Sequence, residues 1–373
     1  MHSNKTRKMK IKLSIILMFL GQFAFGQNKV QKIDSLMNAL YSTDDFSGNV
    51  LVAEKGNIIY SHSFGFANAT TKEKLTENSI FETGSVSKQF TAMAIMILKE
   101  KGKLNLDDEI KKYIPQLSNY DAITIRNLLN HTSGLPDYMG IMDSLFDKSK
   151  IATNNDIIAI YSKYKPKVLF EPNSKFEYSN TGYALLSSII ENVSGLTYAE
   201  YLSKNIFIPL NMKNTFVYNR RLNPKKVANY AFGYFSPDSL TGYILPDDFE
   251  ETKFVIWLDG IVGDGTVNST VTDLLKWDRA LYNNILLSED GMKAIFEVAT
   301  LNNNTKTSYA MGWEIVKFDV YSKMTRHGGS WPGYVAYIER HIENDKTIII
   351  LQNHEDDISI PLKAIRKILY NKQ

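Results

Sequence analysis

The chain has 373 residues, 44% of them hydrophobic and 22% charged, a globular composition that excludes a disordered tail protein or a collagen-like rod. Cysteine is absent, which excludes a disulfide scaffold, a thiolate zinc site, an iron–sulfur cluster and a cysteine nucleophile. The six histidines are scattered singly, outside any His-Glu-x-x-His pattern, which argues against a zinc hydrolase.

The formal charge of +3 comes from the first segment. Residues 1–26 hold five of the 43 basic residues and no acid, so residues 27–373 carry 38 basic against 40 acidic. A nearly neutral body without a basic patch argues against a nucleic-acid partner. In 1–26, a basic stretch ends at Lys12, an apolar run covers 13–20, and Ala24 and Gly26 precede Gln27 at the small-residue places of a cleavage site. This is the layout of a secretory signal peptide, and the run is short of the roughly 20 residues of a spanning helix. The expected product is exported, periplasmic or secreted, with no stable membrane span once the signal is cut.

Residues 30–40 place Val30, Ile33, Leu36, Met37 and Leu40 at helical spacing. Residues 47–66 read as a hairpin turning at Lys55-Gly56-Asn57. From 86 to 130 the pattern is largely helical, with Gly102 near the end of the first helix and a short helix over 123–130. The middle, 150–300, mixes helices with polar loops; Thr270 and Asp273 can cap a helix through Trp277. Residues 309–318, 323–326, 334–342 and 347–352 are strand-like, and 358–371 close with a helix. The predicted fold class is α/β of the α+β type. An antiparallel sheet is built from both chain ends, approximately 27–83 and 300–373, with flanking helices. A helix-rich middle, approximately 84–299, is inserted between.

Three short motifs carry the chemistry. Ser85-Val86-Ser87-Lys88 puts an amine and a hydroxyl three residues apart at a predicted helix start, on one helical face. A serine hydroxyl needs a neighbouring base to become a nucleophile, and a lysine can serve. Tyr178-Ser179-Asn180 offers a phenol for proton transfer and an amide that both donates and accepts. His327-Gly328-Gly329-Ser330 offers an imidazole beside glycines that permit close backbone approach. Singly, each has a plainer reading. These are a helix-start serine before an exposed lysine, a packed tyrosine beside a turn asparagine, and a loop histidine in a glycine-rich hairpin. Ser162–Lys165 repeats the first spacing and Tyr282–Asn284 the second. Ser162 and Lys165 read as solvated surface. His131 reads as a turn cap rather than a catalytic group, and Asp264, between two glycines, as a turn residue sooner than one that tunes the cleft.

Taken in order, Ser-x-x-Lys, Tyr-x-Asn and His-Gly-Gly resemble the serine β-lactamase and penicillin-binding-protein superfamily, most of all its class C branch with esterase, DD-peptidase and D-aminopeptidase relatives. The stretches Phe81-Glu82-Thr83-Gly84, 123–135 and 176–183 match as well. The resemblance implies one serine hydrolase domain over 27–373. It makes Ser85 the nucleophile, Lys88 its proton acceptor and Tyr178 the proton donor to the leaving group. Asn180, His327, Gly329 and Ser330 would hold substrate, with an oxyanion hole from the N–H groups of Ser85 and Ser330. The chemistry implied needs no metal or organic cofactor. The expected partner is a small ester, amide or peptide, turned over through an acyl-enzyme. The alternative is a sensor that acylates or binds without turnover. His327 stands where the β-lactamases carry the lysine of Lys-Thr-Gly, so strong β-lactamase activity is not expected. No Gly-x-Ser-x-Gly elbow is present, which disfavours an α/β-hydrolase.

Overall fold

The computed structural model describes residues 28–236, 243–318 and 321–371. The signal-peptide reading of 1–26 lies outside them.

Seven strands form one antiparallel sheet: β1 (Gly48–Glu54), β2 (Asn57–Phe64), β3 (Tyr309–Ala310), β4 (Trp313–Phe318), β5 (Ser322–Trp331), β6 (Tyr334–His341) and β7 (Lys346–Gln352). Their order across the sheet is β2-β1-β7-β6-β5-β4-β3. The two chain ends meet at its second and third strands, where Gly48 to Glu54 pair with Gln352 to Lys346. The predicted α+β architecture, one antiparallel sheet with strands from both ends, is therefore the observed one.

β1 and β7 are apolar on both faces because both faces are covered. Val50, Val52, Ile348 and Ile350 pack with Ile33 and Met37 of the helix over 28–42 and with Leu362, Ile365 and Leu369 of the Ser359–Leu369 helix. Leu51, Ala53, Ile349 and Leu351 point to the opposite face and join the larger core. In that core lies the helix Lys88–Glu100, whose residues 88 to 98 are all buried. Such a helix is apolar nearly all round because no side of it meets water. Gly102 follows it at φ +66°, and the Thr270 hydroxyl accepts from the Asp273 N–H, as their positions predicted.

One expectation differs. His327-Gly328-Gly329-Ser330 is not a loop between strands. β5 runs on through it to Trp331, and the turn falls at Pro332-Gly333, with Gly333 at φ +85°. Glycines weaken a strand, so the signal faded there while tertiary pairing with β6 carried the strand through. Between the sheet segments sit most of the helices and a small sheet in which Phe81–Glu82 and Phe216–Val217 flank Val267–Ser269.

Candidate active site

Ser85 stands in a single tight turn, Gly84–Ser87, that feeds the buried helix. Gly84 has φ +49°, and a Cβ there would lie 2.9 Å from the Ser330 nitrogen. A Cβ on Gly329 would lie 2.1 Å from the Thr83 carbonyl oxygen and 2.9 Å from the Ser85 nitrogen. Only glycine lets these two backbones close to this separation. The seam brings the backbone N–H groups of Ser85 and Ser330 to one place.

Lys88 is fully buried, one helical turn below Ser85. Its Nζ lies 3.0 Å from Ser85 Oγ, 2.9 Å from Asn180 Oδ1 and 2.9 Å from the Asp264 carbonyl oxygen. A protonated amine has three hydrogens, and three acceptors surround it. The ring of Tyr178 lies 4.9 Å from the same nitrogen and that of Tyr183 5.6 Å, so aromatic faces close the remaining sides. Asn180 opens the Asn180–Ser194 helix, and its backbone N–H donates to Asp137 Oδ2 at 2.8 Å. That bond fixes the asparagine, so its amide oxygen faces Lys88.

Asp264 acts through its backbone, a role that a turn reading missed. Its carboxylate accepts from the Tyr138 hydroxyl at 3.0 Å. Burial pushes its pKa up, and the Lys88 charge pulls the other way.

Tyr178 is partly exposed and lies against His131, ring centroids 4.2 Å apart. His131 is buried at φ +56°, and its Nδ1 accepts from the Ser179 N–H at 3.1 Å, so Nε2 carries the proton. Burial, then the charge on Lys88, hold it well below the usual imidazole range, hence neutral. It is a positioning residue: it ties the Tyr178–Asn180 segment from below. The turn-cap reading saw its place in the chain and missed its 48-residue reach to Ser179.

His327 is also buried. Its Nδ1 donates to the Gly328 carbonyl at 2.6 Å, so Nε2 accepts from the Tyr309 hydroxyl at 2.8 Å. Burial first, and Lys88 second, bring its pKa down to about 3. It is a neutral imidazole with both nitrogens engaged. Tyr309 had no sequence signal.

Two hollows meet at Ser85 and Ser330. One, about 360 Å³, includes Glu82, Asn180, Asp264 and Glu355 on its wall. The other, about 630 Å³, includes Tyr178, His327, Arg326, Lys363 and Arg366. The structure thus gathers Ser85, Lys88, Tyr178, Asn180, His327, Gly329 and Ser330 in one place. Of the decoys, Lys163 and Lys165 are exposed, and Tyr282 packs on Arg279 and Arg340 instead.

The beta-lactamase family model matches residues 36–369. The chain belongs to the beta-lactamase family. This family member is 44% identical to penicillin-binding protein 4* of Bacillus subtilis over 349 residues, 93% of this chain and 77% of that one. Its fold is similar to the octameric penicillin-binding protein homologue from Pyrococcus abyssi, at TM-score 0.76 and 26% identity, covering 92% of this chain and 78% of that one. It is likewise similar to D-amino acid amidase from Ochrobactrum anthropi SV3, at TM-score 0.73 and 23% identity, covering 93% and 99%. The beta-lactamase-family fold is that of serine hydrolases and penicillin-binding proteins.

Proposed function

We propose that the chain is an exported serine hydrolase that cleaves an ester or amide through an acyl-enzyme on Ser85. The observation that carries this is the triple contact of Lys88 Nζ with Ser85 Oγ, Asn180 Oδ1 and the Asp264 carbonyl. When Lys88 holds two hydrogens, Asn180 and Asp264 take both. The lone pair then faces Ser85 Oγ and can accept its proton as the oxygen attacks the substrate carbonyl carbon. The oxyanion so formed lies at the seam of the Ser85 and Ser330 N–H groups, where each donor is worth about 3–4 kcal/mol. Collapse breaks the bond to the leaving group, which takes a proton from Tyr178, and the proton that Lys88 took from Ser85 restores the phenol. Water then attacks the ester of Ser85 by the reverse relay.

His327 supplies no cation for a substrate carboxylate, because it is neutral and both ring nitrogens are occupied. Arg326 in the second hollow is paired with Glu314 at 2.9 Å. Penicillins are therefore expected to acylate slowly. Export rests on the 1–26 segment; a mature protein beginning at Gln27 by N-terminal sequencing supports it, an intact Met1 from a cell envelope fraction means the segment is kept as an anchor, and an intact Met1 from the cytosol refutes it. Among the described residues no helix is long and apolar enough to cross a membrane.

The test of the chemistry is intact mass of the protein mixed with a penicillin and with an activated ester. An adduct absent in Ser85→Ala, which then decays, establishes acyl transfer with turnover. A permanent adduct favours the sensor. Turnover retained in Ser85→Ala removes the assignment.

A further inference from the structure

Glu82 is three residues before the nucleophile, and no part of the relay uses it. Strand alternation places it: Phe81 points into the core and is fully buried, so Glu82 points the other way, onto the wall of the 360 Å³ hollow. Its setting is unusual for a carboxylate. Among the described residues no hydrogen bond or ion pair reaches its carboxylate. The nearest guanidinium groups are committed elsewhere. Arg220 pairs with Asp247, and Arg221 pairs with Asp247 and with Asp259 at 3.0 Å. No lysine, arginine or histidine lines the hollow among the described residues. Burial raises the Glu82 pKa to about 7, with Arg221 opposing. Glu82 is half-buried, so its oxygens still reach the hollow, and a partly desolvated carboxylate without a partner gains when an incoming group supplies the positive charge.

The rest of the wall describes that group. Phe254 and Trp331 pack edge to face at 5.4 Å and line the same hollow with Leu258. They offer an apolar surface and ring faces that attract a cation. Glu355 adds a further acid at the exposed rim, beside Asp259 and Asp264 on the wall, with one oxygen held by the Gly333 N–H at 2.8 Å. Across Ser85 the second hollow carries Lys363, together with Arg326 and Arg366 paired to Glu314 and Glu339, so among the described residues it offers no unpaired acid to a cation.

We propose that Glu82 is the specificity residue of the site, holding the ammonium of an amine-bearing acyl group with an apolar side chain while its carbonyl meets Ser85. The substrate class is then an aminoacyl amide, ester or peptide with a free amino group. This rests on the acyl-transfer reading of Ser85, and its test is chosen to be independent of turnover.

The protein carrying Ser85→Ala is titrated calorimetrically with phenylalaninamide in both hands, and with 3-phenyllactamide, in which a hydroxyl replaces the ammonium. The amine form is expected to bind about tenfold or more tightly in at least one hand. Adding Glu82→Gln is expected to reduce that ratio to about twofold or less, with the fold checked by circular dichroism. Equal binding of the two ligands to Ser85→Ala overturns the proposal without recourse to the second variant. So does a ratio that survives Glu82→Gln. If the ratio behaves as expected but Ser85 is never acylated, the hydrolase reading fails and the ammonium site stands. If Ser85 acylates but the ligands bind equally, only the ammonium site fails.

Discussion

Lys88 and Glu82 stand three residues either side of Ser85, and they are solved in opposite ways. Lys88 is buried with an acceptor for each of three hydrogens and two aromatic rings around it. Glu82 lines a hollow with no partner, while the arginines beyond it are spent on Asp247 and Asp259. A buried charge whose partners are all internal serves the chemistry of the fold itself. A half-buried acid without internal partners is poised for something from outside. The floor of the site is thus complete in the free protein, and its wall is completed by the substrate.

The floor is broken most severely by removing its members. Ser85→Ala and Lys88→Ala are each expected to lower kcat/KM by about 10³-fold or more, measured on any ester the protein turns over, since residues of one relay act as a unit. Gly329→Ala should come next. Its Cβ would meet the Thr83 carbonyl at 2.1 Å, so the seam must part. About 1–3 kcal/mol of stability and about a hundredfold in kcat are expected to go, read by denaturant unfolding and steady-state kinetics. Asn180→Ala leaves Lys88 short of one acceptor and should cost about 10- to 100-fold in kcat with the fold intact.

The wall gives a smaller and pH-dependent effect. The Glu82 carboxyl is pushed up to about 7 in the folded chain, so KM for an amine-bearing substrate is expected to fall as pH rises towards about 7 and to rise again as the α-ammonium loses its proton at about 8. A neutral analogue should show no such fall. The groups around Glu82 that share this field are Arg220, Arg221, Asp247, Asp259, Tyr230 and Tyr334. Stability follows the same sign. A carboxyl raised above its unfolded value favours the folded state at low pH and penalises it as pH rises from about 4.5 towards 7. Relative to Glu82→Gln, the natural chain should lose about 1–3 kcal/mol over that window, followed by thermal melting. A flat difference would mean that Glu82 is solvated and the contrast with Lys88 is empty.

Much of this is legible in the amino-acid sequence. Apolar strands at both ends announce the sheet, because period and composition report burial directly. Ser85, Lys88, Tyr178, Asn180 and His327 stand out through spacing. The residues that are not legible act across distance. His131 reaches Ser179, Asp264 offers a carbonyl to Lys88, and Tyr309 reaches His327. A backbone carbonyl has no side-chain signature, and a stacked imidazole looks in sequence like any histidine near a turn. Glu82 is legible only as a strand residue; that its neighbours are already paired is a fact of three dimensions.

The pairing of β1 with β7 bears on how the protein is made. Gly48 finds its partner only at Gln352, so at about 5–20 residues per second the ribosome runs for some tens of seconds before the sheet can close. Until then Val50 to Ala53 are an apolar edge without a neighbour, and the Ser85 turn has no Ser330 beside it. The nascent chain is therefore both inert and sticky. A holding chaperone is expected to improve its yield, and any truncation that stops before residue 346 should accumulate as insoluble protein.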